Sequence, residues 1–443
     1  MLLRPAYMKY ILSIDQGTSS TRSIVFDENA NAIASAQKEH NQIYPHEAWV
    51  EHNPVEIMDS VRYTMFSAVE SANIDWKEIH SIGITNQRET IVAWNKSTGL
   101  PLHNAIVWQC RRTASIVDDL KENNYGELFQ HKTGLVLDAY FSGTKMKWLL
   151  DNSEKVKMAA NKDELAFGTI DSWIINQLTG DHRTDDSNAS RTLVYNINIG
   201  SWDSELCEIL KIPITSLPDI IENASDMPFG IYRHQNHKIP IRGVLGDQQA
   251  ALFGQTGFEP GKIKTTYGTG NFILLNTGSK NTRSKTGLLS TVGWKLNGKI
   301  CYSLEGSVFV TGSAFQWLRD NLQIINSYEE IDMIAEATSN SGSIVYFVPA
   351  LVGLGAPHWD SYARGMIIGI TRATSRSDIV NATIDSIAYQ TQEIIEIMAL
   401  ESNLDIRKMR VDGGITKSDS MMQRQSDISQ INIEKPKNIE TTA

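Results

Sequence analysis

The sequence has few cysteines, no long apolar run and no excess of basic residues, and each shortage excludes a class of protein. Cys110, Cys207 and Cys301 lie far apart, which suits neither a disulfide framework nor a zinc site and favours reduced thiols. No apolar stretch approaches the roughly 20 residues needed to cross a bilayer. Lys and Arg number 41 against 51 Asp and Glu, and the formal charge of −10 argues against nucleic acid as a partner. We therefore expect a cytoplasmic protein without nucleic-acid binding or stable membrane insertion.

Two common motifs are also absent. Residues 1–8 lack the uninterrupted apolar core of a targeting segment. The stretch Gly293–Ile300 approaches the P-loop pattern, but Ile300 occupies the position of the hydroxyl that would bind Mg²⁺. The dipeptide Asn297-Gly298 between two apolar runs instead predicts a hairpin turn. The sequence therefore predicts no P-loop.

The 443 residues exceed what one hydrophobic core usually supports, so we expect two domains. Glycines and a proline cluster within Gly254–Gly261, which places the predicted boundary between residues 1–254 and 255–443. Strand-like and helix-like patterns alternate along the chain, as is typical of an α/β protein.

Four segments illustrate this alternation. Pro54–Val69 has apolar residues at helical spacing, beginning with Val55, and Ser313–Ile325 has a similar pattern. Ile79–Thr85 is predicted to be a strand, with Thr90–Trp94 as its neighbouring strand. Site residues often project from such connections, so the four residues between the two strands are candidates.

A glycine-, serine- and threonine-rich turn is the first feature that predicts a chemical role. It lies at Gly17–Ser20 between the apolar runs Tyr10–Ile14 and Ser23–Asp27, a pattern typical of a β-hairpin. Without bulky side chains, the backbone N–H groups of such a turn can face an anion. Arg22 is a candidate clamp for phosphate oxygens, and Asp15 is a candidate ligand of hydrated Mg²⁺. An ordinary hairpin with solvated polar residues is the alternative.

A second turn of the same design favours phosphate binding. The strands Lys262–Tyr267 and Phe272–Leu275 flank Gly268–Asn271, again with almost no side-chain bulk. The two turns lie about half the chain apart, which predicts two similar domains that each present a turn to a shared cleft. Such a clamp suits a nucleoside triphosphate, whose charge spreads during phosphoryl transfer.

Asp247 is the candidate catalytic residue. It follows the predicted strand Ile241–Gly246 and precedes a helix-like run, so it lies where open α/β sheets bind ligands. A carboxylate there can accept the proton of an attacking hydroxyl. The alternative is that Asp247 only caps the helix that follows.

At these motifs the chain resembles the glycerol kinases, a group of the carbohydrate kinases in the actin and sugar-kinase superfamily. The resemblance runs from about Lys9 to Ala443. It rests on five segments: Asp15–Arg22, Asn86–Thr90, Phe141–Lys145, Gly246–Ala251 and Tyr267–Phe272. The implied fold is α/β, with two actin-like (ribonuclease H-like) domains flanking a nucleotide and substrate cleft.

The resemblance also assigns roles to individual residues. The implied polyol contacts are Arg88, Glu89, Trp108, Tyr140, Asp247, Gln248 and Phe272. The implied ATP contacts are Gly17, Thr18, Ser19, Ser20, Arg22, Gly268, Thr269, Gly270, Gly312, Gln316, Gly414 and Ser418. Ser418 stands where the family often has Asn, which bears on the adenine contacts. The alternatives are a solvated surface pair for Arg88 and Glu89, core packing for Trp108 and Phe272, and an ordinary turn at Gly413-Gly414.

The implied activity is the ATP- and Mg²⁺-dependent phosphorylation of glycerol to sn-glycerol 3-phosphate, by a homodimer or homotetramer. Two alternatives remain: a kinase for another small sugar or polyol, and a non-catalytic nucleotide-binding protein. The second arises because the family continues past Ala443 with a further helix. Without that helix we expect exposed apolar surface and reduced stability in the second domain.

Overall fold

The computed structural model describes residues 9–337, 344–360, 362–436 and 441–443, so the predicted absence of a targeting segment falls outside it. The chain forms two compact units. The first consists of the described residues up to Ala250 together with Thr291–Cys301 and Thr442–Ala443. The second consists of Ala251–Ser290 and Tyr302–Thr441. Each unit combines helices with β-sheet, so the predicted α/β class is confirmed.

The strands in the first half of the chain are β1 (Tyr10–Gln16), β2 (Ser20–Phe26), β3 (Ala32–Glu39), β4 (Glu51–His52), β5 (Ile79–Asn86), β6 (Ile91–Asn95), β7 (Ala105–Ile106), β8 (Leu165–Thr169), β9 (Arg183–Asp185), β10 (Tyr195–Asn196), β11 (Ser201–Trp202), β12 (Asp219–Ile221), β13 (Gly230–His234) and β14 (His237–Gly246). A six-stranded sheet with the order β13-β14-β5-β1-β2-β3 organises the first unit. The central strands β1, β5 and β14 run parallel, so their carboxyl ends share one edge. Gln16, Asn86 and Gly246 lie at that edge, next to the candidate site residues.

This half of the chain also contains helices. They are α1 (Pro54–Ser71), α2 (Ala114–Glu122), α3 (Gly126–Thr133), α4 (Ser142–Asn152), α5 (Glu154–Asn161), α6 (Ile170–Thr179), α7 (Asp186–Ala189), α8 (Ser204–Leu210) and α9 (Asp247–Gly254), with 3₁₀ turns at Trp76–Glu78 and Ile214–Ser216. Asn53 caps α1 by accepting the Val55 N–H at 3.0 Å, and Pro54 fits the first helical position. Met58, Val61 and Met65 of α1 pack into the core of the sheet.

The strands in the second half of the chain are β15 (Ile263–Tyr267), β16 (Asn271–Gly278), β17 (Leu289–Leu296), β18 (Lys299–Val308), β19 (Tyr346–Val348), β20 (Met366–Ile368), β21 (Lys408–Asp412) and β22 (Asn432–Glu434). Six of them form a sheet with the order β17-β18-β16-β15-β21-β22. This sheet belongs to the second unit except for the part of the β17–β18 hairpin within Thr291–Cys301, which is grouped with the first. The helices are α10 (Gly312–Asp320), α11 (Glu330–Ala337), α12 (Arg376–Ser402) and α13 (Asp419–Ser429), with a 3₁₀ turn at Gly414–Lys417. The apolar face of α12, including Ile384, Ile387 and Ile394, packs into the core of this sheet.

Most predicted elements are confirmed, including both glycine-turn hairpins, the Asn297-Gly298 turn and the helix after Pro54. Three details are wrong. β6 (Ile91–Asn95) is not a neighbour of β5, because it pairs with β7 and β8 in a separate four-stranded sheet. Val55 is 47% exposed, because the buried face of α1 contains Pro54, Ile57 and Met58 and Val55 lies outside it. The helix predicted over Ser313–Ile325 ends at Asp320.

The described residues bear on two classes of protein that the sequence argues against, disulfide-stabilised and membrane-spanning proteins. Cys110, Cys207 and Cys301 form no disulfide, and burial raises the pKa of the Cys207 thiol to about 12. Among the described residues, no helix has both the length and the hydropathy that a membrane span requires.

Candidate functional site

The first glycine turn, Gly17–Ser20, is closed by one backbone hydrogen bond, from the Gly17 N–H to the Ser20 carbonyl at 2.9 Å. The other three carbonyl groups of the turn also accept hydrogen bonds from within the first unit. The donors are the Gln16 and Gln87 amides to Gly17 O (2.8 and 3.2 Å), the Gln42 amide to Thr18 O (2.8 Å) and the His40 N–H to Ser19 O (3.1 Å). Every carbonyl of the turn is therefore directed toward the protein.

This arrangement determines the direction of the N–H groups. In a trans peptide unit the carbonyl and the following N–H point in opposite directions. The N–H groups of Thr18, Ser19 and Ser20 therefore point away from the donors that hold the carbonyls. Successive N–H groups directed to one side form an anion-binding surface. The predicted phosphate turn thus has a suitable backbone geometry.

The second glycine turn, Gly268–Gly270, is built in the same way from residues of the second unit. Its carbonyl groups accept the Gly312 N–H at Gly268 (3.0 Å), the Thr311 and Ser313 N–H groups at Thr269 (3.0 and 3.1 Å) and the Gly268 N–H at Gly270 (2.9 Å). A Cβ atom at Gly312 would lie 2.6 Å from the Gly268 carbonyl oxygen. A Cβ atom at Gly270 would lie 2.7 Å from the Val308 carbonyl oxygen. Both glycines are therefore required for the close approach of the backbone.

A pocket of about 570 Å³ lies beside the second glycine turn, within the second unit. Six of the predicted ATP contacts line it: Gly268, Thr269, Gly312, Gln316, Gly414 and Ser418. Its other lining residues include Tyr328, Glu329 and Asp332, which sequence reasoning missed because they lie far from any motif, and Lys417, which is adjacent to the predicted contact Ser418. The volume is typical of a small-molecule site. Gly270 does not line the pocket and instead shapes the turn behind it.

The wall formed by Gly413-Gly414 depends on backbone conformation. Gly413 has φ +92°, and a Cβ atom there would lie 2.3 Å from the Tyr267 carbonyl oxygen. The Ser418 hydroxyl donates to Asp332 Oδ1 at 2.5 Å and accepts the Met421 N–H at 3.1 Å. Ser418 therefore caps α13 and also lines the pocket. The sequence did not indicate its hydrogen bond to Asp332.

A cluster of buried charges forms the second part of the candidate site, in the first unit. The Arg88 Nε atom lies 3.1 Å from Asp247 Oδ1 and 3.9 Å from Glu89 Oε1. Arg88 and Glu89 are almost completely buried, whereas the Asp247 side chain is 28% exposed. Glu89 has φ +60°, an uncommon conformation for a non-glycine residue. Arg88 and Glu89 are therefore not a solvated surface pair.

Arg191 is the main member of this cluster that the sequence did not reveal. Its Nε atom lies 2.6 Å from Glu89 Oε1, its side chain is fully buried, and its guanidinium is 5.4 Å from the Phe141 ring centre. A buried carboxylate needs such a partner because removing it from water is costly. Arg191 belongs to no motif and is 102 residues from Glu89 in sequence, so only the fold brings them together.

Aromatic side chains complete this part of the site. The Trp108 and Tyr140 rings are 5.7 Å apart and nearly perpendicular. The Lys145 amine donates to the carbonyl groups of Tyr140 and Phe141. Complete burial lowers the pKa of Lys145 to about 7, although the nearby Glu89 carboxylate opposes this shift. Lys145 therefore acts on the site by holding the backbone at Tyr140.

The remaining predicted residues are distributed over both units. Asp247 begins α9, and its carboxylate accepts the Gln248 N–H at 2.7 Å, so the capping alternative accounts for one of its contacts but not for Arg88. Arg22 donates to Gln37 Oε1 at 2.7 Å from β2. Asp15 pairs in register with Arg22, near the end of β1. Phe272 lies on β16 in the second unit.

The sequence matches two family models along most of its length. Residues 10–254 match the N-terminal domain of the FGGY family of carbohydrate kinases, and residues 263–443 match its C-terminal domain. The chain belongs to the FGGY family of carbohydrate kinases.

Individual relatives agree with this assignment. The chain is 53% identical to glycerol kinase 2 of Thermotoga maritima over 438 residues, 98% of this chain and 88% of the relative. The structure of Plasmodium falciparum glycerol kinase with ADP superposes with a TM-score of 0.90 at 39% identity, over 98% of this chain and 87% of that one. Gluconate kinase from Lactobacillus acidophilus gives a TM-score of 0.86 at 25% identity, with the same coverage. The predicted family and two-domain kinase fold are confirmed.

Arg191→Met tests the buried charge cluster. The substitution removes the 2.6 Å partner of Glu89, so we expect the free energy of unfolding of the first unit to fall by about 3–5 kcal/mol. Denaturant titration followed by tryptophan fluorescence measures this change. The double variant Glu89→Gln/Arg191→Met is the control, and it should lose less than the sum of the two single variants. An additive loss would contradict the proposed pairing.

Gly312→Ala tests the second glycine turn. The new methyl group would collide with the Gly268 carbonyl, so we expect the turn to shift and the affinity for ATP, measured by calorimetry, to fall about tenfold. Gly126→Ala is the matched control, because a Cβ atom at Gly126 meets no atom within 4 Å. Equal ATP affinities in the two variants would show that the turn geometry is unimportant for binding.

Proposed function

We propose that this protein transfers the γ-phosphoryl group of ATP to glycerol and releases sn-glycerol 3-phosphate. The observation that carries the proposal is the buried cluster of Arg88, Glu89 and Asp247 in a member of the FGGY kinase family. Its extended identity to glycerol kinases, at 53% over 438 residues for the Thermotoga maritima enzyme, supports glycerol as the acceptor.

The acceptor site follows from the chemistry of a small polyol. Hydroxyl groups need both donors and acceptors, which Arg88 and Glu89 would supply, and the carbon chain needs an apolar wall. Trp108 and Tyr140 would provide that wall in the first unit. Gln248 and Phe272 are proposed to contribute further contacts.

Asp247 is proposed as the general base. Its carboxylate would accept the proton of the terminal hydroxyl as that oxygen attacks the γ-phosphorus. The Arg88 Nε atom, 3.1 Å away, would keep the carboxylate oriented. The N–H groups of Thr18, Ser19 and Ser20 would stabilise the charge that develops on the phosphoryl oxygens.

The nucleoside of ATP is proposed to bind in the pocket of the second unit. Its 570 Å³ volume and the glycine wall at Gly414 support this assignment. Gln316 and Ser418 would supply polar contacts from the same pocket. Gly268 and Thr269 would bring the second glycine turn close to the phosphates.

Mg²⁺ is proposed to enter together with ATP. The described residues contain no cluster of three or more His, Cys, Asp or Glu side chains suited to a metal ion, so the phosphates would supply most ligands. One or two carboxylates with phosphate oxygens and waters are the usual Mg²⁺ environment in kinases, and Asp15 fits that role through its oxygen donors. The ion would neutralise part of the phosphate charge. Arg22, which pairs with Asp15 in register, would add positive charge on the neighbouring strand.

A coupled assay that measures ADP release tests the acceptor. With purified protein, ATP and Mg²⁺, we expect turnover with glycerol well above that with other small polyols, aldoses and ketopentoses. The product should be identified as glycerol 3-phosphate by mass spectrometry. Preferred turnover with a ketopentose would support the alternative sugar kinase. ATP binding without any phosphorylated product would support a non-catalytic nucleotide-binding protein.

Asp247→Asn tests the proposed base. Loss of a positioned general base typically reduces the rate by about 10²–10⁴-fold, so we expect kcat to fall by this factor while ATP affinity stays within about twofold. Asp226→Asn, which changes an exposed carboxylate in the same unit, is the matched control and should keep normal kcat. Normal turnover of Asp247→Asn would require a different base.

A further inference from the structure

Trp108 is connected to the first glycine turn by two separate hydrogen-bonded routes. Its indole Nε1–H donates directly to Thr18 Oγ1 at 3.0 Å. Its backbone N–H donates to Thr90 Oγ1 at 3.2 Å, and the Thr90 hydroxyl donates to Gln87 Oε1 at 2.9 Å. The Gln87 amide nitrogen then donates to the Gly17 carbonyl at 3.2 Å. Both routes lie within the first unit.

The direction of each bond in these routes is fixed by chemistry. An indole N–H and a backbone N–H can only donate, so Thr18 and Thr90 must accept. The single proton of the Thr90 hydroxyl therefore goes to Gln87 Oε1. This leaves the amide N–H₂ of Gln87 to donate to the Gly17 carbonyl and to Gln16 Oε1, at 3.2 and 3.0 Å. None of these groups titrates, so the routes do not depend on pH.

Burial makes the indirect route rigid. Thr90 and Gln87 are at most 1% exposed, and a buried polar group that loses its partner costs free energy. His52 lies against the same amide, with Nδ1 3.4 Å from Gln87 Nε2, and its Nε2 pairs with Gln42 Oε1 at 2.7 Å. Burial, aided by the nearby His40, lowers the pKa of His52 to about 3, so this imidazole is neutral near pH 7. The neighbouring groups therefore hold the Gln87 amide in one orientation.

Trp108 also belongs to the candidate polyol site, where its ring is 5.7 Å from the Tyr140 ring. A ligand that packs against this indole restricts its rotation. The indole bond to Thr18 then becomes more persistent, while the backbone bond to Thr90 fixes the position from which the indole extends. Because the two routes end on Thr18 and Gly17, the consequence is a better ordered first glycine turn.

We infer that Trp108 couples occupancy of the polyol site to the order of the first glycine turn, with Thr90 as a positioning residue in the second route. The inference rests on the proposed function, since it takes the acceptor to be a polyol and the turn to bind phosphate. A turn ordered by the acceptor binds nucleotide more tightly when the acceptor is present. The same coupling disfavours phosphoryl transfer to water when the polyol site is empty.

The coupling factor tests this inference. It is the ratio of the Kd of a non-hydrolysable ATP analogue without glycerol to its Kd at saturating glycerol, measured by calorimetry with glycerol saturation established for each variant. Trp108→Phe keeps an aromatic wall but removes the indole N–H, and Thr18→Val removes the acceptor. We expect each variant to lower the coupling factor by roughly two- to tenfold, the contribution of one hydrogen bond. A residue needed only for general folding would weaken both Kd values and leave their ratio unchanged.

A double variant and a conservative pair complete the design. Trp108→Phe/Thr18→Val should show no further decrease beyond the single variants, because both break one bond. Thr90→Val should lower the coupling factor, whereas Thr90→Ser, which keeps the hydroxyl, should retain it within about twofold. The inference is overturned by a wild-type factor near one, by an unchanged factor in Trp108→Phe, or by equal losses in both Thr90 variants.

The coupled assay tests the proposed function, and the coupling factor tests this inference, so the two failures can be distinguished. Wild-type protein that forms no glycerol 3-phosphate in the coupled assay contradicts the proposed function and, with it, this inference. Wild-type protein that forms the product while its variants keep the full coupling factor contradicts the inference alone.

Discussion

Both candidate phosphate sites depend on one kind of interaction, the hydrogen bonds that other groups donate to the backbone carbonyls of the two glycine turns. Each glycine turn has its carbonyls bound from inside its own unit, by Gln87, Gln42 and His40 in the first and by Gly312, Thr311 and Ser313 in the second. A phosphate offers only acceptors at neutral pH, so a carbonyl that turned toward it would be repulsive. Fixing the carbonyls therefore both directs the N–H groups and removes the most damaging alternative conformation. The order is established during folding, so no free energy is needed to orient these dipoles during the reaction.

This arrangement requires that several polar and charged side chains be buried. Gln16, Gln87, Arg88, Glu89 and Arg191 are all at most 3% exposed. Burial of such groups is unfavourable unless their hydrogen bonds and charges are balanced. Here the Arg191 Nε atom lies 2.6 Å from Glu89 Oε1, and the Arg88 Nε atom lies 3.1 Å from Asp247 Oδ1. The charges therefore stabilise one another in the folded protein, and a change at one of them alters the surroundings of the rest.

The sequence predicts the parts of this site that depend on local patterns. Glycine turns between short apolar runs produce hairpins because few other structures suit that order of residues, and both predicted hairpins form. Arg88 and Glu89 follow a strand, so their location at a connection was also predictable. The placement of β6 in a different sheet was not, because its apolar pattern fits either sheet equally well.

The contacts that hold the site together were hidden from sequence for a different reason. Arg191 reaches Glu89 across 102 residues, and Gln42 reaches the Thr18 carbonyl across 24. A lone arginine or glutamine in a helix, turn or loop carries no periodic signal, and most such residues are solvated. Only the tertiary structure distinguishes these from the others. Motifs therefore identify the candidate contact residues of the site better than the residues that orient them.

Shared fold and substrate choice have separate physical origins in this protein. A gluconate kinase and a glycerol kinase superpose on the chain almost equally well, so the backbone alone does not select the acceptor. Selection must come from a few side chains, and a buried charged cluster is well suited to it. Arg88 has five N–H donors in a fixed fork, of which Nε lies 3.1 Å from Asp247 Oδ1 and Nη1 donates to Gln249 Oε1 at 3.2 Å. An acceptor that fails to match the remaining polar groups leaves them poorly solvated in a buried site, a penalty that can reach about 10⁴-fold in discrimination. The same burial that makes the cluster costly to fold thus suits it to the proposed role in acceptor selection.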